Sequence, residues 1–157
     1  MNVRQATAAD EPWIADLLRG RWGATGIVLR GELIDAAGLP ALIAENGGRR
    51  CGLATFQYQP DAVEIVSLDA LEQFHGVGTA LLAAAADLAR ARRTPLLRLA
   101  TTNDNLDALR FYQRRGFVIT AVRLNALEAG RQLKPSIPAL GSYGIPIRDE
   151  IELVCRL

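Results

Sequence analysis

The order of strand and helix patterns predicts an α/β (α+β) fold with a mixed, mostly antiparallel sheet and helices on both faces. Three strand-like segments joined by turns occupy residues 41–71, as in an antiparallel meander. An alanine- and leucine-rich helical pattern over residues 77–92 then separates two further strands, and such a crossover predicts a parallel pair within the sheet. The length of 157 residues suits one domain spanning residues 1–157.

The N-terminal region contains one clear helix followed by an ambiguous stretch. Thr7 and Asp10 have the spacing of a capping box, which predicts a helix that ends near residue 19. Glycines interrupt every pattern in the stretch after it. Residues 28–29 fit a strand or a loop, and residues 32–37 fit one helical turn.

The meander strands are bounded by turn residues. They cover residues 41–45, 51–59 and 63–71, and Asn46-Gly47-Gly48 and Pro60-Asp61 form the turns. Regular alternation divides the third strand between two faces. One face carries Glu64, Val66 and Leu68, and the other carries Val63, Ile65 and Ser67.

The C-terminal half alternates strands with helices. Asn103-Asp104-Asn105 supplies cap residues for a helix, and Gly116 is suited to end that helix in the left-handed conformation. The predicted elements are a strand at 96–102, a helix at 106–115, a strand at 117–124, a helix at 126–133, a loop at 135–148 and a strand at 149–157. We expect the last strand to present an open edge at which two copies can pair as a homodimer.

The composition argues against several classes of function. The formal net charge is +1, which does not favour nucleic acid or a membrane surface as a partner, and no apolar run has the length of a membrane span. Cys51 and Cys155 are expected to be free thiols. One histidine, His75, with two distant cysteines does not fit a usual zinc site. We therefore expect a cytoplasmic protein without a metal.

The most informative motif lies between the third meander strand and the helix at 77–92. Gly76 and Gly78 let the backbone approach a ligand closely, and the helix after them begins with unpaired N–H groups at its positive dipole end. This arrangement suits a phosphate group. The alternative is an ordinary strand-to-helix turn, in which the glycines allow the backbone conformation of the turn and bind no ligand.

Two stretches resemble the signatures of the GNAT N-acetyltransferase superfamily. Gln73-x-x-Gly76-x-Gly78 is similar to the first signature, and the order of elements over nearly the whole chain resembles the GNAT fold. The stretch similar to the second signature is Asn105-x-x-Ala108-x-x-Phe111-Tyr112-x-x-x-Gly116-Phe117. The resemblance implies that the two parallel strands splay apart around the thioester of acetyl-CoA.

The resemblance also implies which residues contact acetyl-CoA. The glycine loop would bind the pyrophosphate mainly through backbone N–H groups, and the preceding strand would pair with the pantetheine amides like an added strand. Asn105 matches an asparagine that contacts the cofactor arm, and Tyr112 matches a tyrosine near the thiol sulfur that is often a general acid. The implied loop and strand residues are Val66, Ser67, Leu68, Phe74, His75, Gly76, Val77, Gly78 and Thr79.

Acetyl transfer to an amine also needs a group that removes the amine proton. At pH 7 a lysine-like amine with a pKa of ~10.4 is almost entirely protonated, and deprotonation costs roughly 4.6 kcal/mol. Glu64, on the strand before the glycine loop, is the preferred base, since some family members carry a base glutamate there. Asp69, Glu150 and Glu152 are weaker candidates, and an ordinary strand carboxylate is the alternative for Glu64.

Together these features predict an acyl-CoA-dependent N-acyltransferase, most simply one that transfers acetyl to a small-molecule or peptide amine by direct attack in a ternary complex. A GNAT-fold module that binds acyl-CoA without turnover is the alternative. A dinucleotide-binding oxidoreductase fits less well, because Leu81 stands at the third glycine position of that motif. The long loop within residues 133–148 either roofs the acceptor pocket or forms a surface or dimer contact.

Overall fold

The computed structural model of this chain describes residues 1–72 and 75–157, which form a seven-stranded sheet, a separate hairpin and four α-helices. The strands are β1 (Asn2–Gln5), β2 (Gly26–Leu29), β3 (Glu32–Asp35), β4 (Ala41–Asn46), β5 (Arg49–Tyr58), β6 (Ala62–Ala70), β7 (Leu96–Thr102), β8 (Val118–Arg123) and β9 (Glu150–Arg156). The helices are α1 (Glu11–Trp22), α2 (Val77–Ala91), α3 (Leu106–Gln113) and α4 (Ala126–Leu133). Within these residues, no helix is both long enough and apolar enough to cross a membrane.

The large sheet has one parallel pair among its described strands. Its strands lie in the order β1-β4-β5-β6-β7-β9-β8. Strands β6 and β7 run parallel and are connected through α2, whereas the other neighbours run antiparallel. The predicted mixed sheet with a central parallel pair is confirmed.

Apolar side chains form a core on each face of this sheet. On one face, α2 and α3 pack over a cluster that includes the fully buried Phe56 and Leu81. On the other face, α1 and the hairpin cover a cluster that includes the fully buried Leu18 and Ile43. The helices therefore lie on both faces, as predicted, and the two cores hold the strands that carry the candidate site.

The ambiguous stretch after α1 forms the hairpin β2–β3, so the helical turn predicted for residues 32–37 is wrong. Strand β3 covers its first four residues, and only a short 3₁₀ turn (Ala36–Gly38) follows. Arg30 and Gly31 form the connection with φ values of 49° and 76°, the left-handed pair that suits a two-residue hairpin turn. Because Ile27 and Leu29 are buried, every second residue of β2 faces the sheet.

The alternation predicted for the third meander strand fails beyond Val66. Thr55 of β5 pairs with Ser67, but the next residue, Phe56, pairs with Ile65, so Val66 is an extra residue in β6. Such a bulge shifts the pattern by one residue. Leu68 therefore packs with the cluster that contains Ile65, and the Ser67 hydroxyl lies 2.7 Å from that of Thr55.

The edge strands of the sheet are β1 and β8, and the C-terminal strand β9 is not an edge. Strand β9 lies between β7 and β8, which is a correction to the predicted exposed edge at residues 149–157. Val118 and Val122 on β8 are more than half exposed. Pairing of two copies stays a prediction, and β8 replaces β9 as the strand at which we expect it.

Asp10 joins β1, β5 and the start of α1. Its carboxylate accepts hydrogen bonds from Arg4 at 2.8 and 2.9 Å, from Arg50 at 2.8 Å and from the Thr7 N–H at 2.9 Å, the last of which confirms the predicted cap. These donors, first of all Arg4, hold the pKa of the Asp10 carboxyl well below its usual range. Asp10 has a relative exposure of only 2%, so its ionised carboxylate depends on these hydrogen-bond donors in place of water.

We expect Asp10→Asn to lower the urea midpoint at pH 7 and to flatten the loss of stability in acid. A carboxyl whose folded-state pKa is depressed stabilises the fold above its unfolded pKa of about 3.9, and that contribution is lost as the pH falls further. Urea unfolding between pH 3 and pH 8 measures both effects. Asp16→Asn, at an exposed α1 residue paired only with Arg19, is the matched control and should change neither.

Candidate functional site

The parallel strands diverge at the centre of the sheet and open a cleft of about 840 Å³. In the described part of the chain, pairing between β6 and β7 ends at Ile65 and Leu99, although both strands continue for several residues. Strand β7 remains paired with β9, and β6 remains paired with β5. The result is a V-shaped opening whose walls continue into α2 and α3.

The wall formed by β6 offers backbone groups without a strand partner. Residues 67–70 pair with β5 on one side, while their other side, with the bulged Val66, faces the cleft. Among the residues predicted to contact a ligand, Val66, Ser67 and Leu68 all line this wall. Because the side chain of Ser67 is buried and bonded to Thr55, Ser67 can contribute only its backbone. An extended ligand with amide groups can add to such an edge as a strand would.

The N-terminus of α2 forms the far end of the cleft. Gly76 is its N-cap with φ of 79°, and a Cβ at this position would meet nothing within 4 Å, so there is open space above the backbone. At Gly78, a Cβ would lie 2.9 Å from the Phe111 ring, which leaves little room for a side chain. Among the residues that the structure describes, no side chain caps the helix, so its first N–H groups are available there to an anion.

The other predicted loop residues divide into three groups. Val77 and Thr79 line the cleft, but the Val77 side chain is buried in the core, so its N–H is the group available to a ligand. His75 is exposed and lies outside the cleft lining. Phe74 and the signature residue Gln73 lie outside the residues that the structure describes, and the predicted role of Phe74 stays a prediction.

Arg115 is a basic residue at this end of the cleft that the sequence analysis did not identify. Its Nε and Nη2 atoms lie 2.9 and 2.7 Å from the Thr79 hydroxyl, on the first turn of α2. Its guanidinium also stacks 3.7 Å from the centre of the Phe111 ring. A planar cation held beside uncapped helix N–H groups is a phosphate-binding arrangement. The signal in the sequence was the arginine three residues after the signature tyrosine.

Replacement of Arg115 by alanine should weaken coenzyme A binding about tenfold, the effect of one charge-assisted contact. Arg115→Lys should lose an intermediate amount, since lysine keeps the charge but loses the planar fork. Titration calorimetry gives the three Kd values. Arg19→Ala, at an exposed helical arginine outside the cleft lining, is the control. Equal affinity in the Arg115 and Arg19 variants would contradict this assignment.

Asn105 and Tyr112 enter the cleft from α3. Asn105 is the N-cap of α3, and its side-chain oxygen accepts a hydrogen bond from the Ala108 N–H at 3.2 Å. Tyr112 has a relative exposure of 9%, and its ring packs between the rings of Phe111 and Phe117. Burial raises the pKa of the Tyr112 hydroxyl well above its usual value, and the negative charge of Asp69 adds to this effect. The hydroxyl therefore remains protonated at neutral and moderately alkaline pH.

Glu64 lies at the base of the V but outside the cleft lining. It pairs with Arg98 one step before the strands diverge. Its Oε2 atom accepts hydrogen bonds from Arg30 at 2.6 Å and from Gln57 at 2.9 Å. Its Oε1 atom is buried and has no partner among the described residues. One oxygen is thus anchored by the hairpin tip, and the other is held by no described side chain.

The other candidate carboxylates differ in their surroundings. Asp69 lines the cleft, and burial raises the pKa of its carboxyl although the Trp22 indole N–H donates to it at 3.1 Å. Glu150 and Glu152 face the same side of the sheet as Glu64 but are bonded to Arg123 at 2.8 and 2.7 Å. Among the described residues, only Glu64 combines a position at the base of the V with an unpartnered carboxylate oxygen.

The loop between α4 and β9 is tied to both walls of the site. At one end, Lys134 donates from Nζ to the carbonyl oxygens of Trp22 and Gly26, each at 2.8 Å. Further along, the Ser142 N–H and the Tyr143 hydroxyl donate to Asp104 and Asp107 at 2.9 and 2.8 Å. The loop therefore bridges the end of α1 and the start of α3, a course that suits a roof over the opening.

Comparison with known proteins identifies relatives of this chain. The family model described as "Acetyltransferase (GNAT) family" matches residues 10–117, a range that includes the V and the N-terminus of α2. The uncharacterized protein YxbD of Bacillus subtilis (strain 168) is 35% identical over 158 residues, which cover 100% of this chain and 99% of YxbD. The uncharacterized protein YdhI of the same organism is 37% identical over 139 residues, which cover 88% of this chain and 87% of YdhI.

A solved structure has the same fold. A GNAT family acetyltransferase from Elizabethkingia anophelis, with acetyl-CoA bound, superposes with a TM-score of 0.70 over 99% of this chain and 97% of that one. The two sequences are 21% identical, so the likeness concerns the fold.

Proposed function

Because the chain belongs to the acetyltransferase (GNAT) family, we propose that it transfers an acetyl group from acetyl-CoA to a primary amine. The observation that carries the proposal is one continuous cleft in which the unpaired edge of β6 leads to the uncapped N-terminus of α2. We further propose a small-molecule or peptide amine as the acceptor and the cytoplasm as the compartment.

The groups that line the cleft fit the parts of acetyl-CoA in order. The N–H groups of α2, with Arg115 beside them, suit the diphosphate. The free edge of β6 suits the pantetheine arm, which carries two amide groups that can bond as a strand does. This order directs the thioester toward Ile65 and Leu99, where the V begins.

At that point the chain can supply the proton transfers that amide formation needs. The thioester supplies the acyl group and a thiolate leaving group. Glu64 would remove a proton from the attacking amine through its free Oε1 atom, directly or through one water. Tyr112, which stays protonated, would donate its hydroxyl proton to the leaving sulfur. Backbone N–H groups of the bulged β6 would stabilise the oxyanion.

The two side chains approach from opposite faces of the sheet. Tyr112 belongs to the core under α2 and α3, whereas Glu64 is bonded to the hairpin tip on the other face. In this proposal the amine would reach Glu64 from the hairpin side while the thioester occupies the V. This arrangement supports direct attack in a ternary complex.

One observation favours a second candidate, an acyl-CoA-binding module without turnover. The anchored oxygen of Glu64 already holds an ion pair with Arg30, which opposes its use as a base. To separate the two, acetyl-CoA would be mixed with a panel of diamines, amino acids and short peptides while free thiol is recorded. Hydrolysis without an amine is the blank.

The proposed enzyme should release thiol in proportion to acetylated amine with at least one class in the panel. Saturable acetyl-CoA binding with no amine-dependent thiol release from any class would favour the module. No binding of either coenzyme A or acetyl-CoA would remove both candidates.

A further inference from the structure

We propose that Arg30, at the tip of the β2–β3 hairpin, is a positioning residue that holds the Glu64 carboxylate for proton transfer. The inference rests on the proposed function, in which Glu64 removes a proton from the acceptor amine. It goes beyond that function because it assigns a role to the hairpin, which lies outside the cleft lining. Its consequence is that the Arg30–Glu64 ion pair supports turnover and does not obstruct it.

The hydrogen bonds that the structure describes at the Glu64 carboxylate all end on one oxygen. Its Oε2 atom accepts from Arg30 Nη2 at 2.6 Å, from Gln57 Nε2 at 2.9 Å and from Gln59 Nε2 at 3.4 Å. The Arg30 contact is the shortest of the three and joins opposite charges, so it is the strongest. Because a carboxylate group is planar, holding Oε2 also fixes the direction of Oε1, for which the described residues provide no hydrogen-bond partner.

The guanidinium of Arg30 is itself held in place. The Arg30 backbone N–H donates to Glu150 Oε2 at 3.1 Å, and the preceding residue, Leu29, is buried in the core on that face of the sheet. The Nη1 atom of Arg30 lies 3.6 Å from a carboxylate oxygen of Glu152. A planar cation fixed from both its backbone and its side chain can in turn fix the group that it contacts.

The burial of Glu64 makes this partner necessary. Glu64 has a relative exposure of 1%, so water cannot compensate the charge of its carboxylate. In the described part of the chain, Arg30 is the one cation in an ion pair with Glu64, whereas Gln57 and Gln59 are neutral donors. Because Arg30 bonds to Oε2, it compensates the charge while it leaves Oε1 free to receive the amine proton.

The test is a double-mutant cycle that combines Arg30→Met with Glu64→Gln and measures kcat from thiol release with acetyl-CoA and the best amine. Arg30→Met keeps an unbranched stem and removes the charge and the donors. It should lower kcat about tenfold, the effect of one charge-assisted hydrogen bond. The Kd of acetyl-CoA should not change, since Arg30 lies outside the cleft lining. In the Glu64→Gln background, Arg30→Met should cause no further loss, because the group that it positions is absent.

A second variant, Arg30→Lys, separates positioning from folding. Arg30→Met leaves a buried charge uncompensated, which destabilises the fold. Lysine keeps the charge and one donor but loses the planar fork. Arg30→Lys should therefore unfold near the wild-type temperature and have a kcat between those of wild type and Arg30→Met. If Arg30→Met does not fold, the same cycle with Arg30→Lys decides the question.

Arg98→Met is the matched control. Arg98 is the strand partner of Glu64 across β6 and β7, but its guanidinium donates to Asp61 at 2.6 Å. Its replacement removes a positive charge from the same face of the sheet and should keep kcat within a few-fold of wild type.

The outcomes distinguish this inference from the proposed function. If kcat rises or stays unchanged in the Arg30 variants, or falls equally with Glu64 and with Gln at that position, Arg30 is not a positioning residue, while the proposed function stands. If Arg98→Met lowers kcat as much as Arg30→Met does, positive charge alone is required and the assignment to Arg30 is wrong. If wild type releases no amine-dependent thiol, the proposed function itself is wrong.

Discussion

Replacement of Tyr112 by phenylalanine should lower kcat about 100-fold, the lower range for loss of a general acid, with little change in acetyl-CoA affinity. The phenyl ring can keep its place between Phe111 and Phe117, so the fold and the cleft wall are preserved. Only the hydroxyl that would protonate the leaving sulfur is removed. Steady-state kinetics with the best amine, together with a calorimetric Kd, separate these effects.

The pH dependence of the wild type provides a second check on Tyr112. Because burial raises the pKa of its hydroxyl, the acid form persists above the usual tyrosine pKa of about 10. The kcat of wild type should therefore show no alkaline loss below that pH. Phe117→Leu, which alters the other neighbouring ring without removing a proton donor, is the control. A Tyr112→Phe variant with wild-type kcat would restrict Tyr112 to core packing.

The second large effect is expected for Glu64→Gln, which should reduce kcat/KM by about 100- to 1,000-fold. Glutamine keeps the shape and can still accept a hydrogen bond from Arg30, but it cannot take a proton from the amine. Acetyl-CoA binding should change little, since Glu64 lies outside the cleft lining. Thiol-release kinetics and a thermal unfolding curve should be recorded on the same sample.

Glu152→Gln is the matched control for Glu64. Glu152 lies on the same face of the sheet and also contacts Arg30, at 3.6 Å, but its principal partner is Arg123. Its replacement should leave kcat/KM within a few-fold of wild type. Equal losses in both variants would indicate that the combined negative charge of Glu64 and Glu152 matters and that neither carboxylate alone is the base.

The parts of the structure that could be predicted from sequence are those fixed by local pattern. The spacing of Gly76 and Gly78 before an apolar helix places N–H groups at the end of a strand, and the structure has that arrangement. The strand–helix–strand order around α2 predicts a parallel pair, and β6 and β7 form it. The family resemblance on these residues is confirmed as well.

The parts that could not be predicted depend on contacts between distant residues. Strands β2 and β3 are four residues each and gain stability from burial of Ile27 and Leu29 on the sheet, which no local pattern reports. The bulge at Val66 arises from the register with β5, so strict alternation along β6 was the wrong rule. Arg115 reaches Thr79 from 36 residues away, and its position depends on the packing of α3 against α2.

The surroundings of Glu64 could be predicted only in part. The sequence identified it as the preferred base from its place on the strand, and its buried, half-satisfied carboxylate is compatible with that role. The ion pair with Arg30 could not be predicted, because residues 28–29 fitted a strand or a loop and residues 32–37 a helical turn, so the hairpin and its tip were not expected. That pair is the feature that most affects how Glu64 would work.

Calorimetric titration of acetyl-CoA into the folded full-length chain is the most direct test of the proposal that this cleft holds an acyl donor. If the edge of β6 and the N-terminus of α2 bind the ligand together, one molecule should bind per chain with a Kd below about 1 mM, the usual upper range for enzyme substrates. Absence of heat with acetyl-CoA and with coenzyme A at millimolar concentration, from protein shown to be folded, would contradict the proposed site and function.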